Sequence, residues 1–439
     1  MLYKLDYDKN CFGLRNIFSS FGITYDIYIS KFYEVIKLKQ SDSASAITSS
    51  IIRELLKYSS DKNFISLAGG IPANDLLDKK NLDRATHIAL SKDESSIFQY
   101  SETIGSFSLR EKIKCILQKR NMNFFDVKDI IVTTGSQQAL NISTKAFLNI
   151  NDSIFVIEPT YLAAIQSFSL NNFNSIGLPI ENENIIIEKA RELIKLHNIK
   201  ALYCIPNFNN PSSKIMPKEL REEIANLCIQ YNLLLIEDDP YGEIWFEENP
   251  YKIDTISKML SEKNYPDYIY ISSFSKIVSP GLRIGWIACH ESNTDTVLKV
   301  KQAFDLHSSS LDQAIISNYL ELIDLDDVLN NLRKNYKLRM ELLYNQINNS
   351  SILTEFLGEI EKPDGGLFIW INAGKTDFDQ KLQTAIFNKI IYVPGSTFFI
   401  NDMSSNKGKN CARLSLSSID EDNSKEAILR LEKTFFSLN

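Results

Sequence analysis

The chain has 439 residues, 44% of them apolar and 23% charged, and 48 basic against 55 acidic residues leave a net charge of −7. This is the balance of a soluble globular protein too long for one core, so two domains are expected, and the acidic excess argues against nucleic acid as the main partner. No apolar run approaches the roughly 20 residues that cross a bilayer, and residues 1–8 lack a signal-peptide core. The six cysteines and four histidines form neither a C-x-x-C pair nor a metal-ligand spacing, which points to a cytoplasmic protein with reduced thiols and no metal site.

Residues 1–40 are aromatic-rich without regular spacing and read as an N-terminal extension of unknown role: an arm, a dimer cap or a leader. The apolar spacing of residues 47–56 predicts a helix. Residues 64–72 form an apolar run stopped by Gly69-Gly70, either a plain turn or a place where backbone can approach a ligand closely. Tyr100 reads as a packing residue ahead of a helix. From Asp129 onward strand and helix patterns alternate. Residues 130–134 predict a strand ending at Gly135-Ser136-Gln137-Gln138, and residues 139–147 a helix. A small residue and a hydroxyl at such a turn aim amides and a helix dipole at an anion, although Gly-Ser is also an ordinary helix start.

The next strands, 153–158, 200–205 and 233–236, end in Pro159-Thr160-Tyr161, in an Asn- and Pro-rich turn at 206–213, and in Glu237-Asp238-Asp239-Pro240-Tyr241. Strand carboxyl ends are where open α/β sheets bind ligands. Tyr161 there either stacks on a flat ring or closes the core, and the acids are either solvated caps or buried and functional. Strand 268–272 feeds a Ser-rich turn holding Lys276, with Arg283 seven residues on. A desolvated lysine beside another cation gives up its proton and can attack a carbonyl. Ser273, Ser275 and Arg283 supply hydroxyls and a guanidinium suited to a dianionic phosphate. Against this stands the reading of Lys276 as one more solvated lysine. Helical patterns then fill residues 311–346, and strand 411–417 carries one arginine, Arg413, which either faces water at an edge or is buried against an anion.

The motifs S-x-S-K and P-G-L-R-x-G-W at 273–286 resemble the lysine signature of fold-type I pyridoxal-phosphate (PLP) enzymes, class I/II aminotransferases. The resemblance is closest to the 2-aminoadipate and kynurenine aminotransferases and to MocR effector domains. Q-Y-x-x-x-x-G-x-x-x-L-R-E from Gln99, T-x-G-S-Q-Q from Thr133, P-N-x-x-N-P from Pro206, D-x-P-Y from Asp238, P-x-G-G-x-F-x-W from Pro363 and R-L-S from Arg413 extend it in order over most of the chain. It implies an α/β fold of type I, with a large PLP-binding domain of mainly parallel sheet flanked by helices at 93–309 and a smaller α+β domain from 41–92 and 310–439. It also implies a homodimer with a shared active site and the cofactor pyridoxal 5'-phosphate.

By the same resemblance Lys276 is the Schiff-base lysine, Asp238 the partner of the pyridine nitrogen, and Tyr241 and Asn210 the partners of the phenolic oxygen. Gly135, Ser136, Gln137, Ser273 and Arg283 form the phosphate cup, with Tyr100 reaching the phosphate of the neighbouring subunit. Tyr161 stacks on the ring, Arg413 clamps the substrate carboxylate with Asn210, and Gly70 lines the substrate side. Ser212-Ser213 stand where the family has Thr-Gly, which puts the conformation of that loop in question. The implied activity is transfer of an amino group between an L-amino acid and a 2-oxo acid of unread identity. The alternatives are decarboxylation, lysis or oxidation at the α-carbon on the same fold, or a MocR-like regulatory domain.

Overall fold

A computed structural model of the chain describes residues 40–45, 47, 51–58, 61–91, 95–400 and 406–436; the aromatic-rich segment 1–39 lies outside them. The chain divides into two units, Met1–Ala46 and Ile47–Asn439. Of the first only the helical turn Asp42–Ser45 and its preceding residues are described. The second contains every described strand.

Seven strands form the central sheet: β1 Ile130–Thr133, β2 Ser153–Val156, β3 Asn174–Gly177, β4 Ile199–Cys204, β5 Leu234–Asp238, β6 Tyr268–Ser273 and β7 Gly285–Cys289. They lie in the order β1-β7-β6-β5-β4-β2-β3. β7 is antiparallel to both its neighbours, and the other pairs are parallel. The middle strands are continuous apolar runs because both of their faces are buried, as in parallel sheets covered by helices. Their side chains alternate between two cores. Leu235, Tyr268, Tyr270 and Trp286 face one, shared with helices Phe107–Lys119 and Lys218–Tyr231. Ile236, Ile269, Ile271 and Ile287 face the other, shared with helices Gly135–Phe147, Leu162–Leu170 and Glu291–Asp305.

A second, antiparallel sheet consists of β8 Phe368–Asn372, β9 Val393–Pro394 and β10 Cys411–Ser415, in the order β8-β10-β9. The helical pattern over 311–346 resolves into helices Ser310–Leu322 and Leu325–Asn349, the second opened by an Asp324 cap that accepts from the Asp326 amide. Residues 67–71 run from this sheet toward the carboxyl ends of the central strands, tied by the Ser415 amide donating to the Leu67 carbonyl at 2.7 Å. Four of the six cysteines, at 204, 228, 289 and 411, are buried and free, and Cys115 is free and exposed.

The sheet and the first turn of helix Gly135–Phe147 meet at Gly285. A Cβ there would lie 2.8 Å from Gly135 C, Ser136 N and Ser272 O, all of them backbone. Gly285→Ala should therefore lower the unfolding free energy by about 1–3 kcal/mol through overpacking that no side-chain rotation relieves. Urea denaturation of the cofactor-free protein measures this, and an unchanged midpoint would show that the turn yields without cost.

Candidate active site

The carboxyl ends of five strands, β1, β2, β4, β5 and β6, and the crossing segment 67–71 converge on one cavity of about 210 Å³, lined by Ile71, Ser136, Gln137, Tyr161, Asn210 and Asp238, and by Tyr241, Ser273, Ser275, Lys276 and Arg283 among others. β5 delivers Asp238, and β6 delivers Ser273 and the turn bearing Lys276. The Lys276 ammonium donates to the Gly70 carbonyl at 2.8 Å and lies 5.6 Å from the centre of the Tyr241 ring. Burial, with Arg413 and Arg283 adding repulsion, lowers it from the ordinary lysine value to about 8. Part of the population is thus neutral amine near neutral pH, as a nucleophile or base requires.

Asp238 is 4% exposed. Its Oδ2 accepts from the Tyr203 hydroxyl at 2.8 Å, while Oδ1 is buried with no partner. Burial pushes this carboxyl up to about 7, opposed by the Tyr203 hydrogen bond and assisted by Asp239. Asp239 is the other acid of the pair and does not serve the cavity. Its carboxylate is saturated by Asn207, Tyr251 and Tyr270 at 2.9, 2.9 and 2.8 Å and by the Gly242 amide at 3.0 Å. A buried acceptor without a donor is costly unless a ligand completes it, and Oδ1 of Asp238 is such an acceptor.

Arg413 is 1% exposed within β10. It donates to Asn210 Oδ1 at 2.8 Å and to the Ala68 carbonyl at 2.7 Å, its guanidinium stacks 4.2 Å from the Phe368 ring, and Nε has no partner. Burial lowers it to about 10. Its burial overturns the edge-strand reading, and a cation with no described acid beside it is held against Asn210, which lines the cavity. The opposite end is an anion cradle. Helix Gly135–Phe147 begins without a side-chain cap. Arg283 lies so close that a Cβ on Gly135 would come 2.6 Å from its Nη2. Its Nη1 donates to the Ser275 hydroxyl at 3.3 Å, and Ser273 donates to Ser275 at 2.8 Å. Uncapped amides, two hydroxyls and a guanidinium are the donor set of a phosphate site.

The family described as aminotransferase class I and II matches residues 62–431. The chain belongs to this family. It is 33% identical over 403 residues to aromatic-amino-acid aminotransferase 1 of Thermococcus litoralis, covering 90% of this chain and 93% of that one. Among solved structures it is similar to Pyrococcus horikoshii kynurenine aminotransferase (32% identity, TM-score 0.79, 90% and 96% coverage). It is also similar to the α-aminoadipate aminotransferase LysN of Thermus thermophilus, solved with N-(5'-phosphopyridoxyl)-L-leucine (28%, 0.79, 90% and 97%). The fold is thus that of the type I PLP enzymes, and the aminotransferase uses pyridoxal phosphate. The residues present fit that group: a phosphate cradle at one end, an amine beside an aromatic ring in the middle, and the partnerless Asp238 oxygen beneath.

Of the residues expected at the site, Gly70, Gly135 and Arg413 adjoin the lining through Lys276, Arg283 and Asn210, and Tyr100 is not part of the lining. It is 78% exposed, with its ring 5.9 Å from that of His307. Ser275, offered with Ser273 and Arg283 as a phosphate donor, lines the cavity, and so does Ile71, which was not singled out although it adjoins Gly70. Tyr203 sits in an apolar strand with no local cue to its role. The questioned loop is also resolved. Ser213, which stands where the family has glycine, adopts φ 55°, in the left-handed region that favours glycine, and its buried hydroxyl has no partner. Both features are unfavourable for serine. Ser213→Gly should raise the unfolding free energy by about 1 kcal/mol, visible as a higher melting temperature; a lower one would mean that the serine makes a compensating contact.

The lowered Lys276 ammonium gives a pH prediction. The neutral amine is the reactive form and accumulates above the pKa, so acylation of Lys276 in the cofactor-free aminotransferase should rise with pH through a midpoint near 8. Exposed lysines should rise near 10.5. Peptide mass spectrometry after a brief acetic anhydride pulse reads both classes, and a Lys276 midpoint at the exposed-lysine value would refute the role of burial and its two neighbouring arginines.

Proposed function

We propose that this cavity transfers an amino group between an L-amino acid and a 2-oxo acid, with Lys276 as the catalytic amine, Asp238 and Tyr241 as ring partners and Arg413 as the carboxylate clamp. Gly135, Ser136, Gln137, Ser273 and Arg283 would hold the cofactor phosphate, Tyr161 and Asn210 the ring, and Gly70 would line the substrate side. When bound, pyridoxal phosphate supplies an aldehyde that exchanges amines and a ring that accepts electrons from the substrate α-carbon. The observation that carries this reading is that Asp238, whose buried Oδ1 has no partner, lines the same cavity as a lysine with a lowered pKa and an arginine, Arg283, with no described acid beside it.

Each residue acts on a stated atom. The Arg413 guanidinium, already fixed by Asn210, the Ala68 carbonyl and Phe368, presents a preorganised donor to the substrate carboxylate and so orients the α-hydrogen. Lys276 Nζ, held by the Gly70 carbonyl, is the base that takes that proton and returns it. Asp238 stays ionised when a ring N–H completes Oδ1, because an opposite charge favours the anion.

The assembly is a homodimer in this reading, with residues 93–309 as the cofactor domain and 41–92 with 310–439 as the smaller one. Phe98, Tyr100 and Phe107 are 73%, 78% and 59% exposed, which supports Tyr100 serving a second copy's phosphate across a subunit contact. A cytoplasmic location belongs to this proposal and is supported by the free, buried cysteines at 204, 228, 289 and 411.

Incubation with a panel of amino donors, including aromatic amino acids, kynurenine and 2-aminoadipate, and of 2-oxo acid acceptors tests the reading by direct detection of the new amino acid. Arg413→Lys, which loses the planar fork, should depress kcat/KM for every active pair by about 10- to 100-fold, mainly through KM. Decarboxylation or cleavage without amino transfer to any acceptor would overturn transamination.

A further inference from the structure

We infer that Tyr203 is a positioning residue for Asp238: its hydroxyl anchors Oδ2 and so presents Oδ1 alone to the cavity. The inference rests on the assignment of Asp238 as the ring partner. Tyr203 is fully buried in β4, where strand alternation turns it to the same core as Ile236, Ile269 and Ile271. Its ring packs edge-on against Phe168 with centroids 5.6 Å apart. In the β4–β5 ladder it stands opposite Ile236, so Asp238 is the diagonal neighbour two residues on and on the same face. Aromatic side chains reach such diagonal partners. The hydroxyl closes the gap at 2.8 Å, and it is the one hydrogen bond that the Asp238 carboxylate receives from a described residue.

A carboxylate turns about a broad, roughly two-fold terminal torsion, so burial by itself does not decide which oxygen faces the ligand. A single donor on Oδ2 decides it. Donation also favours the anion, against the burial that favours the acid. Without the hydroxyl, Asp238 would have no donor in a dry site. It would hold a proton to higher pH and offer no negative charge to a ring nitrogen. The ring of Tyr203 fills core space in any case. The separable claim is that its oxygen acts on cofactor binding through Asp238.

Tyr203→Phe keeps the ring and removes that oxygen. The readout is the affinity of the cofactor-free protein for pyridoxamine phosphate, which cannot bond covalently to Lys276, followed by quenching of protein fluorescence from pH 6 to 9. At pH 7 the variant should bind about ten-fold more weakly, the loss expected for one hydrogen bond to a charged group. The gap should narrow as pH rises and Asp238 ionises. In an Asp238→Asn background the same substitution should change affinity little. If Tyr203→Phe fails to fold, 3-fluorotyrosine at 203 decides, since a more acidic phenol is a stronger donor and should move the pH midpoint of binding downward. Wild-type affinity and pH profile in either variant, or an equal loss with and without Asp238, would overturn the inference. Failure of the unaltered protein to bind any pyridoxal or pyridoxamine phosphate would instead overturn the site assignment on which it rests.

Discussion

Two cationic side chains and one acid line the cavity, and a third cation, Arg413, is bonded to the lining residue Asn210. Lys276, Arg283 and Arg413 donate only to carbonyls, hydroxyls and a carboxamide, and Asp238 is bonded to a tyrosine rather than to any of them. Uncompensated positive charge in a partly dry space is unfavourable, and it is relieved either by losing protons or by taking up anions. The lysine takes the first route, which makes its amine reactive. The arginines keep their charge and are left for the second. A ligand with a phosphate at one end and a carboxylate at the other would satisfy both. The sheet makes the arrangement affordable, because it places these groups at strand ends on a frame buried on both faces.

Asp238 and Asp239 show how little sequence distance separates structure from chemistry. Strand alternation sends consecutive side chains to opposite faces. Asp239 points into a buried polar cluster, where Tyr270 also receives Arg120 at 2.8 Å and Arg120 pairs with Glu243 at 2.9 Å. Ser272 donates to the Asp239 carbonyl and accepts from Arg120, so the cluster ties the end of β5 to the end of β6. Its members are paired within the protein, whereas the cavity groups are left open. The adjacent acids are therefore used differently: one locks the two strand ends side by side, and the other, at that fixed spacing, lines the same cavity as Lys276.

The strands were legible because continuous apolar runs such as 233–236 and 268–272 have few ways to be buried other than a covered parallel sheet. The lysine turn and Arg413 were legible because a charge inside an apolar pattern calls for a partner, and the ordered motifs named one. Tyr203 was not legible. Its link to Asp238 exists only through the β4–β5 register, a property of two segments more than thirty residues apart. Tyr100 is a different case, since among the described residues its ring neighbour is His307 and its proposed task needs a second copy.

Backbone conformation near the site could not be foreseen either, and it has a physical logic of its own. Elsewhere the left-handed region is taken mainly by asparagine, as at the helix ends Asn198 and Asn232, where the short polar side chain tolerates it. Around the cavity it is taken by Phe208, Ser213 and Arg283, at φ 50°, 55° and 52°. These residues bracket Asn210 and follow Lys276. Each is strained by the order of 1–2 kcal/mol, and such strain persists only where the surroundings leave no alternative. For Phe208 the surroundings are identifiable: the side chain is fully buried, and a Cβ on Gly365 would meet its ring at 2.5 Å. The Asp364 amide donates to the Ser213 carbonyl at 3.2 Å. The segment entering β8 thus clamps the loop that aims Asn210 at Arg413. The Asn210–Arg413 pairing therefore depends on a contact between the two sheets' loops, and in the proposed function a change at 364–366 would reach the substrate clamp without touching it.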